Sequence, residues 1–509
     1  MTSPSQPAES AGTQSEVPAQ LGSTAIHAGA WILVNMVASN GFRIISSVVL
    51  TRLLDSEAFG LMQLVTAFMV GLHLFSDVGI GPSIVQSPHG EEQDFLDTAY
   101  TVQVFRGTVL WLVGTALSFP FAHYYGDPRL AILLCVINVA SFIGGWQSTK
   151  LFTEGRRLAQ RRLTILDIVI QFAGLSSMIA VAYVTRSVYS LLVGALVQDL
   201  IRTVASHFVL PGRRNRLHIH REHLRGMLHF GRWVFISTAL TFVVNHSDRL
   251  ILGKLIPLAM LGVYGIGLNI SSLTPNLLFG LTQKLLFPVY SKIHNETTRM
   301  AEVFVSARRP LLIVGGFGLA GFVGGGQAAI DLLYDPRYHE AGWVAQVLSV
   351  GAWFAVMENS YSQGLLAKGQ SRWLAASGAG KLVGMLAFVP AGYLSFGFPG
   401  AVVGYAASEL GRYAVSVGGG IRHQLVALGQ DLRYTALMAA ASASGYGASY
   451  AVDHFVSHNA ALRSIAVFLG VLVVYSPWLR GLLRDLKALR AAGANGAPVP
   501  DGAEAPVVV

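Results

Sequence analysis

Ionisable residues interrupt the long apolar stretches of this 509-residue chain, among them Arg43, Asp77, Asp167, Asp199, Arg232, Asp248, Arg249, Lys284, Glu358, Lys381 and Glu409. An ion at the centre of a bilayer costs about 2.5–3.5 kcal/mol on insertion scales, so such a residue pairs with another, snorkels to an interface or faces a polar cavity. The chemistry open to the set is therefore electrostatic. Signatures of bond-making chemistry are missing where they would be needed. Gly378-Ala379-Gly380-Lys381 has part of a phosphate loop, but Ala375 stands in place of its first glycine and Leu382 in place of the Ser or Thr that would hold magnesium. No paired-aspartate motif of a sugar transferase is present, and no polar segment is long enough to fold a catalytic domain. No catalytic residue, metal or organic cofactor is assigned. His218, His220 and His223 share a basic stretch and are read as facing lipid headgroups rather than a metal. Cys135 is the sole cysteine, which excludes a disulfide framework.

The elements that must position these charges follow from composition. Hydrophobic residues make up 52% and charged residues 12% of the chain, about half the usual charged share. Fourteen candidate transmembrane spans can be drawn, at 26–50, 59–86, 99–122, 130–148, 164–185, 188–210, 227–252, 259–287, 310–333, 342–366, 373–396, 398–420, 434–452 and 462–480. The fold class is thus an all-α integral membrane protein. Net charge is +9, but the basic residues cluster in alternate short loops (Arg156, Arg157, Arg161 and Arg162 after span 4; Arg213, Arg214 and Arg216 after span 6), which is a topology signal and not a nucleic-acid surface. Those loops, and with them both termini, are expected to be cytoplasmic, in a multi-pass protein of the bacterial inner membrane. Pro82 and Pro275 inside spans 2 and 8 are expected to allow bends, and the glycines crowding span 9 to allow close helix packing.

A repeat organises the spans. Shifting the chain by 202 positions lays His27-Ala28-Gly29-Ala30-Trp31 on His229-Phe230-Gly231-Arg232-Trp233, Leu50-Thr51-Arg52-Leu53 on Leu252-Gly253-Lys254-Leu255, Gly60 on Gly262 and Arg106 on Arg308. Asp127-Pro128-Arg129 recurs as Asp335-Pro336-Arg337. Six spans per copy, an even number, give both copies one orientation and a pseudo-twofold axis along the membrane normal. The expected domains are a disordered cytoplasmic tail (1–24), an N-terminal six-helix lobe (25–212), a basic linker (213–226), a C-terminal six-helix lobe (227–421), two extra helices (422–482) and a second tail (483–509). Under the shift Arg43 corresponds to Asn245, one helical turn from Asp248, so Arg43 and Asp248 are expected at similar depth as an outer gate.

Leu50-Thr51-Arg52-Leu53-Leu54-Asp55, Phe59-Gly60-Leu61 and Phe75-Ser76-Asp77-Val78-Gly79-Ile80-Gly81 resemble the N-terminal signature of Wzx-type oligosaccharide flippases. Phe230-Gly231-Arg232-Trp233, Asn245-His246-Ser247-Asp248, Leu261-Gly262-Val263-Tyr264 and Leu286-Phe287-Pro288-Val289-Tyr290 extend the likeness over about residues 25–430. It is most like the branch that exports exopolysaccharide units such as colanic acid, within the multidrug, oligosaccharidyl-lipid and polysaccharide superfamily. The resemblance implies alternating-access export of an undecaprenyl-pyrophosphate-linked oligosaccharide, with membrane lipids, a polysaccharide polymerase and a chain-length regulator as partners. A lipid II flippase, a multidrug exporter of the same superfamily and a membrane-bound polymerase are the alternatives. A diphosphate needs positive charge to leave water, and Arg43, Arg52, Arg232, Arg249, Lys284 and Lys381 are the candidates to supply it. Asp77, Asp248 and Glu358 are the candidates for gating or for coupling to H+ or Na+. Reversing the charge of Arg43 or Asp248 alone is expected to abolish transport, and the double reversal to restore it.

Overall fold

The structure, a computed structural model, describes residues 16–157 and 159–495, without the side chains of 16–28, 228–230, 232, 233, 236, 284, 285, 297 and 486–495. Sixteen α-helices account for nearly all of it: α1 Glu16–Leu53, α2 Ser56–Leu74, α3 Ile80–Gln86, α4 Gln93–Tyr125, α5 Pro128–Gly145, α6 Lys150–Arg156, α7 Gln160–Thr185, α8 Tyr189–Phe208, α9 Arg221–Leu255, α10 Leu258–Ser271, α11 Leu273–Ile293, α12 Thr297–Leu333, α13 Ala341–Ala367, α14 Ser371–Arg422, α15 Leu428–Phe455 and α16 Ala460–Asn495. Among the described residues ten helices are long and apolar enough to cross a membrane, and α10 with α11 qualifies as one further, bent span. The chain divides into two compact units, the first comprising Met1–Ser46, Phe75–Thr185 and Tyr189–Ile236, the second Ser47–Leu74, Arg186–Val188 and Ser237–Val509.

Two expected spans are each broken in two. Span 2 stops at Leu74 and restarts at Ile80, because Asp77 Oδ1 accepts the Gly79 N–H at 2.8 Å while Gly79 takes φ 65°. Span 8 bends by 43° between α10 and α11. Pro82 and Pro275 do not sit at the bends. Each is the third residue of the helix that follows, within the first turn, where the missing N–H has no intrahelical partner to lose. Spans 11 and 12 form the single run α14, which reverses at Gly397 (φ 64°, ψ −145°), a conformation open to glycine alone.

The 202-residue repeat has a physical counterpart inside the second unit. A Cβ on Gly60 of α2 would lie 1.8 Å from the Leu258 carbonyl oxygen, and one on Gly262 of α10 would lie 2.0 Å from the Ser56 carbonyl oxygen. Ser56 and Leu258 are themselves 202 positions apart, so this is an isologous contact, in which equivalent residues exchange equivalent neighbours across a local pseudo-twofold axis. Both positions must be glycine, because the obstacle is backbone. Gly60→Ala and Gly262→Ala are expected to destabilise the protein to a similar extent, by about 1–3 kcal/mol each through overpacking. Thermal unfolding midpoints of the purified variants check this, and unequal effects would break the symmetry argument.

The Asp-Pro-Arg motifs also fold alike. In each, the aspartate caps the turn that follows by accepting the N–H of the arginine two positions on, at 2.9 Å for Asp127 and 3.1 Å for Asp335. The arginine folds back onto the same carboxylate, at 2.6 Å for Arg129 and 2.8 Å for Arg337. These guanidinium groups hold both carboxyls below the usual carboxylate range. Arg337 additionally pairs with Asp55, beyond the end of α1.

The two helices outside the repeat, α15 and α16, pack on α12, where the crowded glycines leave room for them: a Cβ on Gly324 would meet the Ser442 carbonyl oxygen at 2.8 Å and one on Gly325 the Val467 side chain at 2.6 Å. A buried ion pair fixes α15 in place. Arg308 of α12, fully buried, donates to Asp431 at 2.6 Å, and Tyr361 and Tyr413 donate to the other Asp431 oxygen at 2.7 and 2.8 Å.

Candidate functional site

The densest grouping of intramembrane charge lies in the second unit. Lys381, on the first half of α14, approaches Glu409 on the second half to 2.5 Å, both nearly fully buried. One turn on, the Arg412 guanidinium sits 3.1 Å from Glu358 of α13. The other Glu358 oxygen accepts hydrogen bonds from Ser362, from Ser377 at 3.3 Å and from Ser416 at 3.0 Å. Two cations and two carboxylates thus form a neutral set, the arrangement in which buried ions are tolerated. The Gly397 reversal brings it about by folding the two halves of α14 side by side.

The cluster continues through aromatic residues. Lys381 Nζ lies 5.2 Å from the Tyr405 ring centroid, and Tyr405 meets Tyr264 of α10 edge to face at 6.1 Å. Tyr264 donates to Asp248 of α9 at 2.7 Å, and Asp248 is 1% exposed. Arg249 donates to His246 Nδ1 at 2.7 Å. Glu409 and Tyr405 also line a cavity of about 120 Å³ with Ser271 and Ser272 at the α10–α11 bend and Pro275 in the first turn of α11. Glu409 Oε2 has no hydrogen-bond partner among the described residues. A carboxylate with one oxygen committed to a lysine and the other uncommitted beside a cavity can exchange partners, which makes this cluster the candidate site.

The structure brings together Lys381 and Glu358 in this cluster, with Asp248 and Arg249 at its α9 end. Asp77 and Arg43 belong to the first unit. Asp77 caps the α2–α3 break, and Arg43 donates to Asn40 at 2.6 Å. Arg52 is exposed in the last turn of α1, and its carbonyl accepts from Arg337 at 3.5 Å. The side chains of Arg232 and Lys284 lie outside the described residues. Among the described residues no group of three or more His, Cys, Asp or Glu side chains is placed to hold a metal ion. In the sequence Glu409 is one intramembrane charge among many, and Arg412 carries no motif that singles it out. The available signal was their spacing of three on one helix face, since residues three apart are helical neighbours.

Residues 49–341 match the family model described as "Polysaccharide biosynthesis protein". The chain is 22% identical over 341 residues to the lipopolysaccharide biosynthesis protein WzxC of Escherichia coli (strain K12), covering 66% of this chain and 69% of that one. It is 21% identical over 415 residues to the teichuronic acid biosynthesis protein TuaB of Bacillus subtilis (strain 168), covering 78% and 83%. Among solved structures, the lipid II flippase MurJ in an inward closed conformation superposes with a TM-score of 0.69 at 11% identity, over 90% of this chain and all of that one. A multidrug resistance MATE transporter in an inward-facing conformation gives 0.58 at 13% identity, over 75% and 94%. These likenesses fix the fold as that of the MurJ and MATE structures, and the family match covers more than half of the sequence: this multi-pass membrane protein belongs to the polysaccharide biosynthesis protein family.

Proposed function

We propose that this protein is a flippase that carries an undecaprenyl-pyrophosphate-linked oligosaccharide from the cytoplasmic to the periplasmic leaflet of the inner membrane, by alternating access and with both termini cytoplasmic. The observation that carries the reading is the neutral cluster Lys381–Glu409 and Arg412–Glu358, buried in the spans of a polysaccharide biosynthesis family member. Such a set has no catalytic geometry, but it lets charge be re-paired as a charged headgroup passes. Arg43, Arg52, Arg232, Arg249, Lys284 and Lys381 supply positive charge for the diphosphate. Asp77, Asp248 and Glu358 act in gating or in coupling to H+ or Na+. Relatives named for lipopolysaccharide, teichuronic acid and succinoglycan biosynthesis support a glycan substrate. A polysaccharide polymerase and a chain-length regulator would take up the product.

Deletion of the gene tests the reading. Lipid-linked repeat units are expected to accumulate with their glycan inaccessible to a membrane-impermeant lectin added to the periplasmic face, and the wild-type gene is expected to reverse this. Failure of the intermediate to accumulate would overturn the proposal. Restoration of lipid II flipping in a deficient strain, or drug efflux in its place, would identify the alternatives.

A further inference from the structure

In the first unit, the geometry points to a carbohydrate-recognition pocket at the start of α4, formed with the end of α3 and the first turns of α9. It rests on the reading of an oligosaccharide substrate and assigns the place where this protein first meets the glycan. The pocket has a volume of about 540 Å³, within the range of ligand sites and enough for about two pyranose rings.

Its floor is apolar and built. Phe95 and Met227 are buried in one cluster with Ile80, Ile84 and Ala99, and His223 stands edge to face against Phe95 at 5.3 Å. Its rim is polar. Gln86 and Glu222 line it and make no hydrogen bond among the described residues, and Glu92 leaves one oxygen over after meeting His89 Nδ1 at 2.7 Å. The wall is held rigid from behind. Arg156 donates to the carbonyls of Ile84 and Ser87 at 2.8 and 2.5 Å, and Gly90 cannot bear a side chain, since a Cβ there would lie 2.0 Å from the Ile84 oxygen.

A pyranose presents an apolar C–H face and an equatorial ring of hydroxyls that each donate and accept. Aromatic rings match the face, and amides and carboxylates match vicinal hydroxyls two at a time. The lining of this pocket has both kinds of group. Two carboxylates on the rim disfavour the diphosphate, so the pocket selects the sugar end of the substrate. The basic linker, residues 213–226, is thereby given a task. Residues 213–220 run without regular structure along α4, with Arg216, His218 and His220 N–H groups donating to Asp97, Thr101 and Thr98 at 2.9, 2.9 and 3.0 Å. This strap delivers Glu222 and His223 to the pocket.

The test uses the full-length protein purified in a detergent without a sugar headgroup, and saturation-transfer NMR with three soluble disaccharides: one neutral, one N-acetylated and one bearing a uronate. Transfer to pyranose C–H protons is expected for at least one of them. The signal should fall about tenfold in Glu222→Gln/His223→Leu, as expected for losing a hydrogen bond to a charged group, and stay unchanged in Arg213→Gln, outside the pocket. Circular dichroism should show the variants as helical as the wild type. Should the double variant not fold, Gln86→Leu gives the same readout from an exposed side chain. Absence of transfer from all three sugars, transfer unaffected by the rim variants, or competition by inorganic pyrophosphate would overturn the assignment. If lipid-linked intermediate accumulates in the deletion strain and no disaccharide binds, the pocket alone is wrong. If it does not accumulate, the flippase reading fails whatever the pocket binds.

Discussion

Lys381→Met is expected to destabilise the second unit by about 3–5 kcal/mol, because it leaves Glu409 as an uncompensated buried charge. Lys381 and Glu409 are 4% and 6% exposed, so water cannot take over the lost partner. Glu409→Gln, which strands the lysine, should cost a similar amount. The double variant Lys381→Met/Glu409→Gln removes both charges together, and since a buried pair contributes little net stability, most of the loss should be recovered. Transport is expected to remain lost. A pair that only held α14 together would be dispensable once replaced by uncharged neighbours, whereas a pair that re-partners during transport would not. The readouts are the thermal midpoint in detergent and the lectin accessibility of lipid-linked glycan in cells. A double variant that is both stable and transport-competent would sink the assignment of this cluster as the functional site. Arg412→Gln should separate further from Lys381→Met, because its partner Glu358 keeps three hydroxyl donors and is less exposed to the loss.

Much of this arrangement is legible in the sequence, and what is not has two causes. Apolar cadence gave helices at each of the expected spans, and the repeat pointed to Gly60 and Gly262, which meet in the structure. Depth could be read as well: Lys381 and Glu409 lie 16 and 12 residues from Gly397, about 24 and 18 Å along the two arms of the reversal, so their pairing was within reach of arithmetic. Depth says nothing of rotation about the helix axis, and rotation decides which charges face each other. That is why the sequence alone does not show that Lys381 is paired with Glu409 or that the Asp77 carboxylate caps a helix break. Arg412 lies inside an expected span, three residues from Glu409, and only rotation hides its partner. Asp431 is missed for a different reason: it lies between spans 12 and 13, where a charge looks solvated. Tertiary packing buries Asp431 to 3% exposure by stacking α15 against α12.

That packing sets the second large effect. Arg308→Met should release α15 from α12. Arg308 corresponds under the repeat to Arg106, whose guanidinium donates to Ser76 at 3.2 Å within the first unit. In the second copy the equivalent arginine has taken up the added helix. It lies over the rings of Phe304 and Tyr361, at 5.1 and 4.6 Å, and binds Asp431. Its removal strands a carboxylate that only two tyrosine hydroxyls still satisfy, at an expected cost of about 3–5 kcal/mol. Because the loss is local to the α14–α15 connection, it should appear as local opening before global unfolding. Tryptic cleavage after Arg422, in the last turn of α14, is expected to accelerate by roughly a hundredfold or more when opening governs the rate. Arg308→Met/Asp431→Leu, which removes both charges, should bring the cleavage rate most of the way back. An unchanged rate in Arg308→Met would mean that the glycine face of α12 holds α15 unaided, and that the arginine stays buried for some purpose other than anchoring the added pair of helices.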